Sequence, residues 1–145
     1  KKSLEDFLTD LKPNNSYSND NQIHLKGILT NNNIEIVDHI QEADLIVNTT
    51  PIGMFPMNSK PDQSTEIPLG ENIWQNLKQK TTLYDLIYTP RPTAWLKLGA
   101  KNGCEQIDGL EMLIQQGAAS LKLWSKHEDV PIDIMRNAAK KHLAE

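Results

Sequence analysis

The sequence predicts an α/β fold built on a parallel sheet, and three observations lead to it. Short apolar runs give way to polar turns at residues 45–47 before Asn48-Thr49-Thr50-Pro51 and at residues 82–88 before Thr89-Pro90-Arg91-Pro92, and the segment IDGLEMLIQQGA repeats the transition at Ile107-Asp108-Gly109. The stretches between them repeat their apolar residues at helical spacing. Strands that alternate with helices form βαβ units, and these give parallel strands. Ligands lie beyond the carboxyl ends of such strands, so the three polar turns are predicted to share one crevice.

Each element has its own warrant. Leu4, Phe7, Leu8 and Leu11 stand on one helical face over residues 2–11, and Pro13 closes that helix. Residues 14–22 are a polar loop. Residues 23–29 alternate weakly and predict a short strand, followed by a turn at residues 31–33. Residues 34–41 fit a short helix with Ile36, Val37 and Ile40 inward. Residues 44–48 predict a buried strand. After a long loop over residues 55–70, Ile73, Trp74 and Leu77 form a helical stripe over residues 71–78. Residues 82–88 predict a second buried strand. Thr93 then reads as the N-cap of a helix carrying Trp95, Leu96 and Leu98, which Gly103 closes. Residues 104–107 are a third strand. Asp108 and Glu111 have capping-box spacing at the start of a helix that runs to about Lys126. Its stripe of Leu110, Leu113, Ile114, Gly117, Leu121 and Trp124 is predicted core. Pro131 opens a last helix through Ile132, Ile134, Met135, Ala138, Ala139 and Leu143.

Composition narrows the function classes. A chain of 145 residues is long enough for one domain with a sizeable core. The net charge is −4 and Lys and Arg form no stripe, which speaks against a nucleic-acid surface. The single cysteine, Cys104, excludes an internal disulfide framework and fits a reducing, cytoplasmic compartment as a small core residue. No apolar run reaches membrane-spanning length. His24, His39, His127 and His142 are scattered without metal-ligand spacing, so no metal is expected. A Gly-rich phosphate loop and a nucleophile–base pattern are both lacking. The chain begins Lys1-Lys2-Ser3, and the expectation is a piece of a longer protein.

Several residues are candidates for chemistry. Gly109, Met112 and Gln116 lie on one flank of the helix that starts near residue 109. A Gln amide both donates and accepts, which suits a ligand hydroxyl, although spacing alone favours a Gln that bonds a neighbouring loop. Gly109 either admits a close ligand or serves as a turn glycine. Tyr88 ends its strand at the crevice, as a ligand contact or as a boundary tyrosine with its hydroxyl in water. Asp85, inside a strand, must find a partner if it is buried.

The segments ADLIVNTTPIGM, YDLIYTPRPTAWL, Gly103 and DGLEMLIQQGAASLKLW, in this order and spacing, resemble the carboxyl-terminal half of shikimate dehydrogenase. The resemblance runs from about Ala43 to Trp124. It implies a Rossmann-type doubly wound parallel sheet, partial here, with closing carboxyl-terminal helices. Residues 1–108 would be the rear part of the NADP-binding domain. Residues 109–145 would be closing helices that pack back toward a substrate domain. It implies NADP as cofactor, shikimate and 3-dehydroshikimate as substrates in the synthesis of chorismate and aromatic amino acids, and a homodimer of the full-length enzyme. By resemblance, Tyr88 and Gln116 contact substrate. Leu86 and Gly109 touch the cofactor near its nicotinamide end, Met112 packs beside the nicotinamide, and Asn48, Thr49 and Thr50 line the cofactor's path.

The family's catalytic Lys and Asp pair, its Gly-rich pyrophosphate loop and its 2′-phosphate-reading basic cluster have no counterpart in this sequence. The chain by itself is therefore expected to be inactive, with no catalytic residue of its own. Glu111 stands where many members carry a small residue. Two other readings compete: a non-catalytic ligand-binding remnant, and a dehydrogenase of quinate or a related hydroxy acid.

Overall fold

A computed structural model describes residues 33–55 and 66–143. The helix expected over residues 2–11, the strand over 23–29 and most of the loop over 55–70 lie outside the described residues. The chain divides into two compact units, residues 1–39 and residues 40–145. Helix α1, Asn33–Ile40, forms where a short helix is expected, with Ile36 and Val37 half-buried and Ile40 buried.

The second unit is built on a three-stranded parallel sheet in the order β1-β2-β3, with β1 at Leu45–Asn48, β2 at Thr82–Asp85 and β3 at Glu105–Ile107. Helix α2 spans Ala94–Lys101, α3 spans Leu110–Ser125 and α4 spans Ile132–Leu143. Strand, helix, strand recurs through β2, α2 and β3, as the alternation predicts.

Register explains which face is core. Val47 pairs with Tyr84, and Tyr84 with Ile107, so these side chains share one face of the sheet with Leu45 and Thr82. Ile46, Leu83, Asn48 and Asp85 share the other. On that second face Leu83 and Asp85 are fully buried, and helix α2 lies against it through buried Trp95, Leu96 and Gly99. On the first face Leu45, Val47 and Ile107 are exposed. The expectation of a buried strand at residues 44–48 is thus corrected: β1 is an edge strand of the described sheet, and Leu45 and Val47 on this face are exposed.

Other departures are local. Residues 71–78 give a 3-10 helix, Glu71–Asn76, which stops where Leu77 turns extended. Ile73 and Trp74 are still buried there. The stripe along α3 is core only in its first half. Leu110, Ile114 and Ala118 are buried, whereas Leu121 is exposed and Trp124 is 78% exposed. Thr93 caps α2 as its spacing predicts, accepting from Leu96 N, and Gly103 follows the helix at φ +81° with its N–H on the Ala100 carbonyl. Cys104 is buried, and burial pushes its thiol pKa up.

The capping box at Asp108 and Glu111 does not close. Asp108 Oδ1 accepts from Leu110 N at 3.0 Å. Glu111 instead takes Arg136 of α4 in a two-point grip, Nε to Oε2 at 2.9 Å and Nη2 to Oε1 at 2.7 Å, and Gln115 Nε2 also donates to Oε1 at 2.7 Å. Hydrogen bonds from Arg136 and then Gln115 hold the Glu111 carboxyl down at about 2, against an ordinary value of 4.5. A folded value below the unfolded one adds stability that is present above pH 4.5 and fades as pH falls toward 2. Glu111→Gln should therefore lower the thermal midpoint at neutral pH, and the gap to the unsubstituted protein should close over that acid range. A pH-independent gap would show that the pair contributes no charge-dependent stability.

Candidate functional site at the carboxyl ends of the strands

The site grows from a buried carboxylate. Asp85, the last residue of β2, has no solvent exposure. Its Oδ1 accepts from Asn48 Nδ2 at 3.0 Å and Ile87 N at 3.1 Å, and its Oδ2 accepts from Thr93 Oγ1 at 2.8 Å. Burial demands such partners, because an unpaired charge in a core costs far more than folding can supply. The Thr93 hydroxyl also accepts from Leu96 N at 3.3 Å, so the α2 cap and the strand end share one network.

Asn48 carries the network into the first polar turn. Its Oδ1 accepts from Thr50 N at 3.0 Å and Thr50 Oγ1 at 2.7 Å, and its Nδ2 also donates to the Ile52 carbonyl at 3.1 Å. Thr50 Oγ1 accepts in turn from Ile52 N at 3.2 Å. The strand end at Asn48 and the following Thr49-Thr50 are therefore tied by side-chain hydrogen bonds, with Asn48 buried and Thr49 and Thr50 exposed. Just past the sheet, Leu86 N donates to the Asn48 carbonyl at 3.1 Å.

Gly109, two residues past the third strand, joins this junction from the other side. Its N–H reaches the Ile87 carbonyl at 3.2 Å. A Cβ on Gly109 would lie 1.9 Å from the Leu86 carbonyl oxygen. Its φ is −76°, so space and not backbone conformation requires glycine. Sequence reasoning offered a turn or a close ligand; the structure adds close approach by a neighbouring strand end.

The structure thus brings Asn48, Thr50, Leu86 and Gly109 together. Tyr88 stands two residues past Leu86 and is 39% exposed. Met112, at 42% exposure, and Gln116 project from the exposed side of α3, one and two turns beyond Gly109. Ser120 Oγ donates to the Gln116 backbone carbonyl at 2.9 Å, but among the described residues the Gln116 amide has no partner. No described loop takes up that amide. Beside Gly109, Asp108 pairs with Arg91 at 2.6 Å and helps to line a cleft of about 340 Å³ with Pro92, Lys140 and Leu143.

Two features escaped sequence reasoning. A charge inside a strand predicts a partner for Asp85, but not that it ties the turn at Asn48 to Ile87 and to the α2 cap at Thr93. Its only signal was a charge inside an apolar strand run. Gly99, in α2, had no signal at all, yet a Cβ there would stand 2.3 Å from Leu83 Cδ1.

The donor and apolar groups suit a nicotinamide. A flat amphipathic ring needs an apolar floor with polar groups at its rim. The half-buried Leu86 and the exposed Met112 offer the first, and the hydroxyl of the exposed Thr49 offers the second, while that of Thr50 is held by Asn48 and Ile52.

Comparison with known proteins gives concordant findings. Residues 109–140 match the family model described as the shikimate 5′-dehydrogenase C-terminal domain. A shikimate dehydrogenase (NADP(+)) of Prochlorococcus marinus subsp. pastoris is 45% identical over 141 residues, covering 97% of this chain and 45% of that protein. The chain thus spans about half the length of the curated relatives it matches. Among solved structures, a shikimate dehydrogenase in complex with NADP+ aligns with a TM-score of 0.57 at 34% identity, over 75% of this chain and 35% of its own. A shikimate 5-dehydrogenase from Thermus thermophilus, in complex with NADP(H) and shikimate, aligns with a TM-score of 0.57 at 28% identity, over 72% of this chain and 36% of its own.

Proposed function

The chain belongs to the shikimate dehydrogenase family, and from that premise we propose that its full-length gene product reduces 3-dehydroshikimate reversibly to shikimate with NADPH. The observation that carries this reading is the junction at the carboxyl edge of the sheet. There Asn48, Leu86 and Gly109, distant in sequence, are locked together by the Leu86 N to Asn48 O bond of 3.1 Å and the close pass of Gly109 over Leu86. In a parallel α/β sheet this edge is where a dinucleotide crosses.

In this reading Asn48, Thr49 and Thr50 line the cofactor's path, Leu86 and Gly109 touch its nicotinamide end, and Met112 packs beside the ring. Bound there, NADP supplies or accepts the hydride. Tyr88 orients the substrate's polar groups through its phenol, and Gln116 bonds a ring hydroxyl with its free amide. These groups bind and orient. The proton-transferring pair is assigned to a substrate domain, toward which residues 109–145 pack from the cofactor domain of residues 1–108. The exposed apolar side chains of Leu121, Leu123, Trp124 and Ile134 support that assignment, since they lack cover among the described residues. The reading includes a cytoplasmic homodimer. Among the described residues no helix is long and apolar enough to cross a membrane.

The test is absorbance at the reduced-nicotinamide band. The full-length gene product should reduce NADP+ with shikimate, and more slowly with quinate or with NAD+. The 145 residues expressed alone should show no turnover, because an acid–base pair typically contributes about 10²–10⁴-fold. A full-length product inert with shikimate would favour the non-catalytic binding remnant, and a preference for quinate would favour the other hydroxy-acid dehydrogenase.

A further inference from the structure

We propose that Asp85 is a positioning residue for hydride transfer: its buried carboxylate holds the turn at residues 48–50 and the backbone of residues 86–88 in the pose that ranges the nicotinamide against the substrate. The inference rests on the dehydrogenase reading above and extends it to a residue that touches neither ligand.

The two carboxylate oxygens have different tasks. Oδ1 stands between Asn48 Nδ2 and Ile87 N, at 3.0 and 3.1 Å, and so couples the first polar turn to the segment that carries Leu86 and Tyr88. Oδ2 faces the α2 cap through Thr93 Oγ1 at 2.8 Å. Asn48 passes the constraint on, since its amide is fully used between Asp85, Thr50 and Ile52. No solvent reaches the carboxylate to relax the arrangement. Stability alone does not call for such a group. A well-packed apolar side chain of similar size is often as stable as a buried charge. What an apolar residue cannot do is fix the distance between two loops by hydrogen bonds. Misplacing reacting groups by about 1 Å can cost about 10²-fold in rate.

The experiment uses the full-length gene product and compares Asp85→Ala, Asp85→Asn and Thr93→Val below their unfolding transitions. Asp85→Ala should lower kcat for shikimate oxidation at least about tenfold while the NADP+ dissociation constant stays within about threefold. With deuterium at the transferred position, its isotope effect on kcat should rise, because hydride transfer becomes slower than product release. Asp85→Asn keeps an oxygen toward Asn48 and Ile87 and should restore most of kcat. Thr93→Val breaks only the Oδ2 bond and the helix cap. It should lose stability yet keep kcat and isotope effect unchanged. If Asp85→Ala does not fold, Asp85→Ser, too short to span both donors, takes its place with the same expectation. The proposal is overturned if the Ala or Ser variant keeps the parent's kcat and isotope effect, or if Thr93→Val loses kcat as severely. Failure of the dehydrogenase reading looks different: the unsubstituted protein would then show no shikimate-dependent NADP+ reduction.

Discussion

Gly109→Ala is expected to destabilise the protein by roughly 3–5 kcal/mol and to abolish activity with it. The added methyl would lie 1.9 Å from the Leu86 carbonyl oxygen and 2.4 Å from its carbonyl carbon. Both are backbone atoms, so no rotamer change can make room. Retreat of α3 would break the 3.2 Å bond from Gly109 N to the Ile87 carbonyl and open the crevice. Gly103→Ala is the control. Gly103 sits at φ +81°, and a methyl added there would meet nothing within 4 Å, so only backbone strain applies, about 1–2 kcal/mol. Urea denaturation separates the two through the midpoint at unchanged slope. Equal shifts for both glycines would mean that the Leu86 contact does not govern the junction.

Leu83→Ala should cost about 2–5 kcal/mol, and Gly99→Ala should recover part of that loss rather than add to it. Leu83 is wholly buried at the centre of β2, and truncating it leaves a void under α2. A methyl on Gly99 would stand 2.3 Å from Leu83 Cδ1 and 3.6 Å from Cys104 Cβ. Alone, Gly99→Ala overpacks this core by roughly 1–3 kcal/mol. In the double variant the leucine is gone, the new methyl fills part of the void, and alanine favours the helix by about 1 kcal/mol over glycine. A double-mutant cycle in urea should give a coupling of about 1–3 kcal/mol in the compensating direction. Simple additivity would show that the two positions do not meet.

What could be seen in the sequence was what neighbouring residues decide among themselves. Apolar runs located β1 and the start of β2, but β2 ends at Asp85 and not at Tyr88, because the Asp85 carboxylate takes the Ile87 N–H out of the ladder. Cap and glycine signals located Thr93 and Gly103 correctly, because capping is settled within one helical turn. Contacts between distant segments were another matter. Glu111 has the spacing of a capping box, but Arg136, 25 residues on, offers it a two-point charged grip that outcompetes a backbone N–H. The helical stripe of α3 reads as core along its length, yet periodicity cannot say where a covering element stops, and Trp124 is left exposed. The run at residues 45–47 looks buried because parallel strands usually are; here β1 is an edge of the described sheet. For the site, resemblance named Asn48, Leu86 and Gly109, and the structure shows them joined. It could not name Asp85, whose importance lies in joining a distant turn, through Asn48, to its own segment at Ile87 and Thr93.

The most direct test of the site assignment is Gln116→Ala in the full-length gene product, with shikimate varied in steady-state kinetics and NADPH titrated by fluorescence. Gln116 projects from the exposed side of α3, two turns beyond Gly109, with its amide unclaimed by any described residue, so it should address the substrate and not the dinucleotide. Losing its bond to a substrate hydroxyl should cost roughly 1–3 kcal/mol, about one to two decades in kcat/KM for shikimate, with the NADPH dissociation constant nearly unchanged. A variant with undiminished kcat/KM, or one whose NADPH affinity falls by the same factor, would contradict the account.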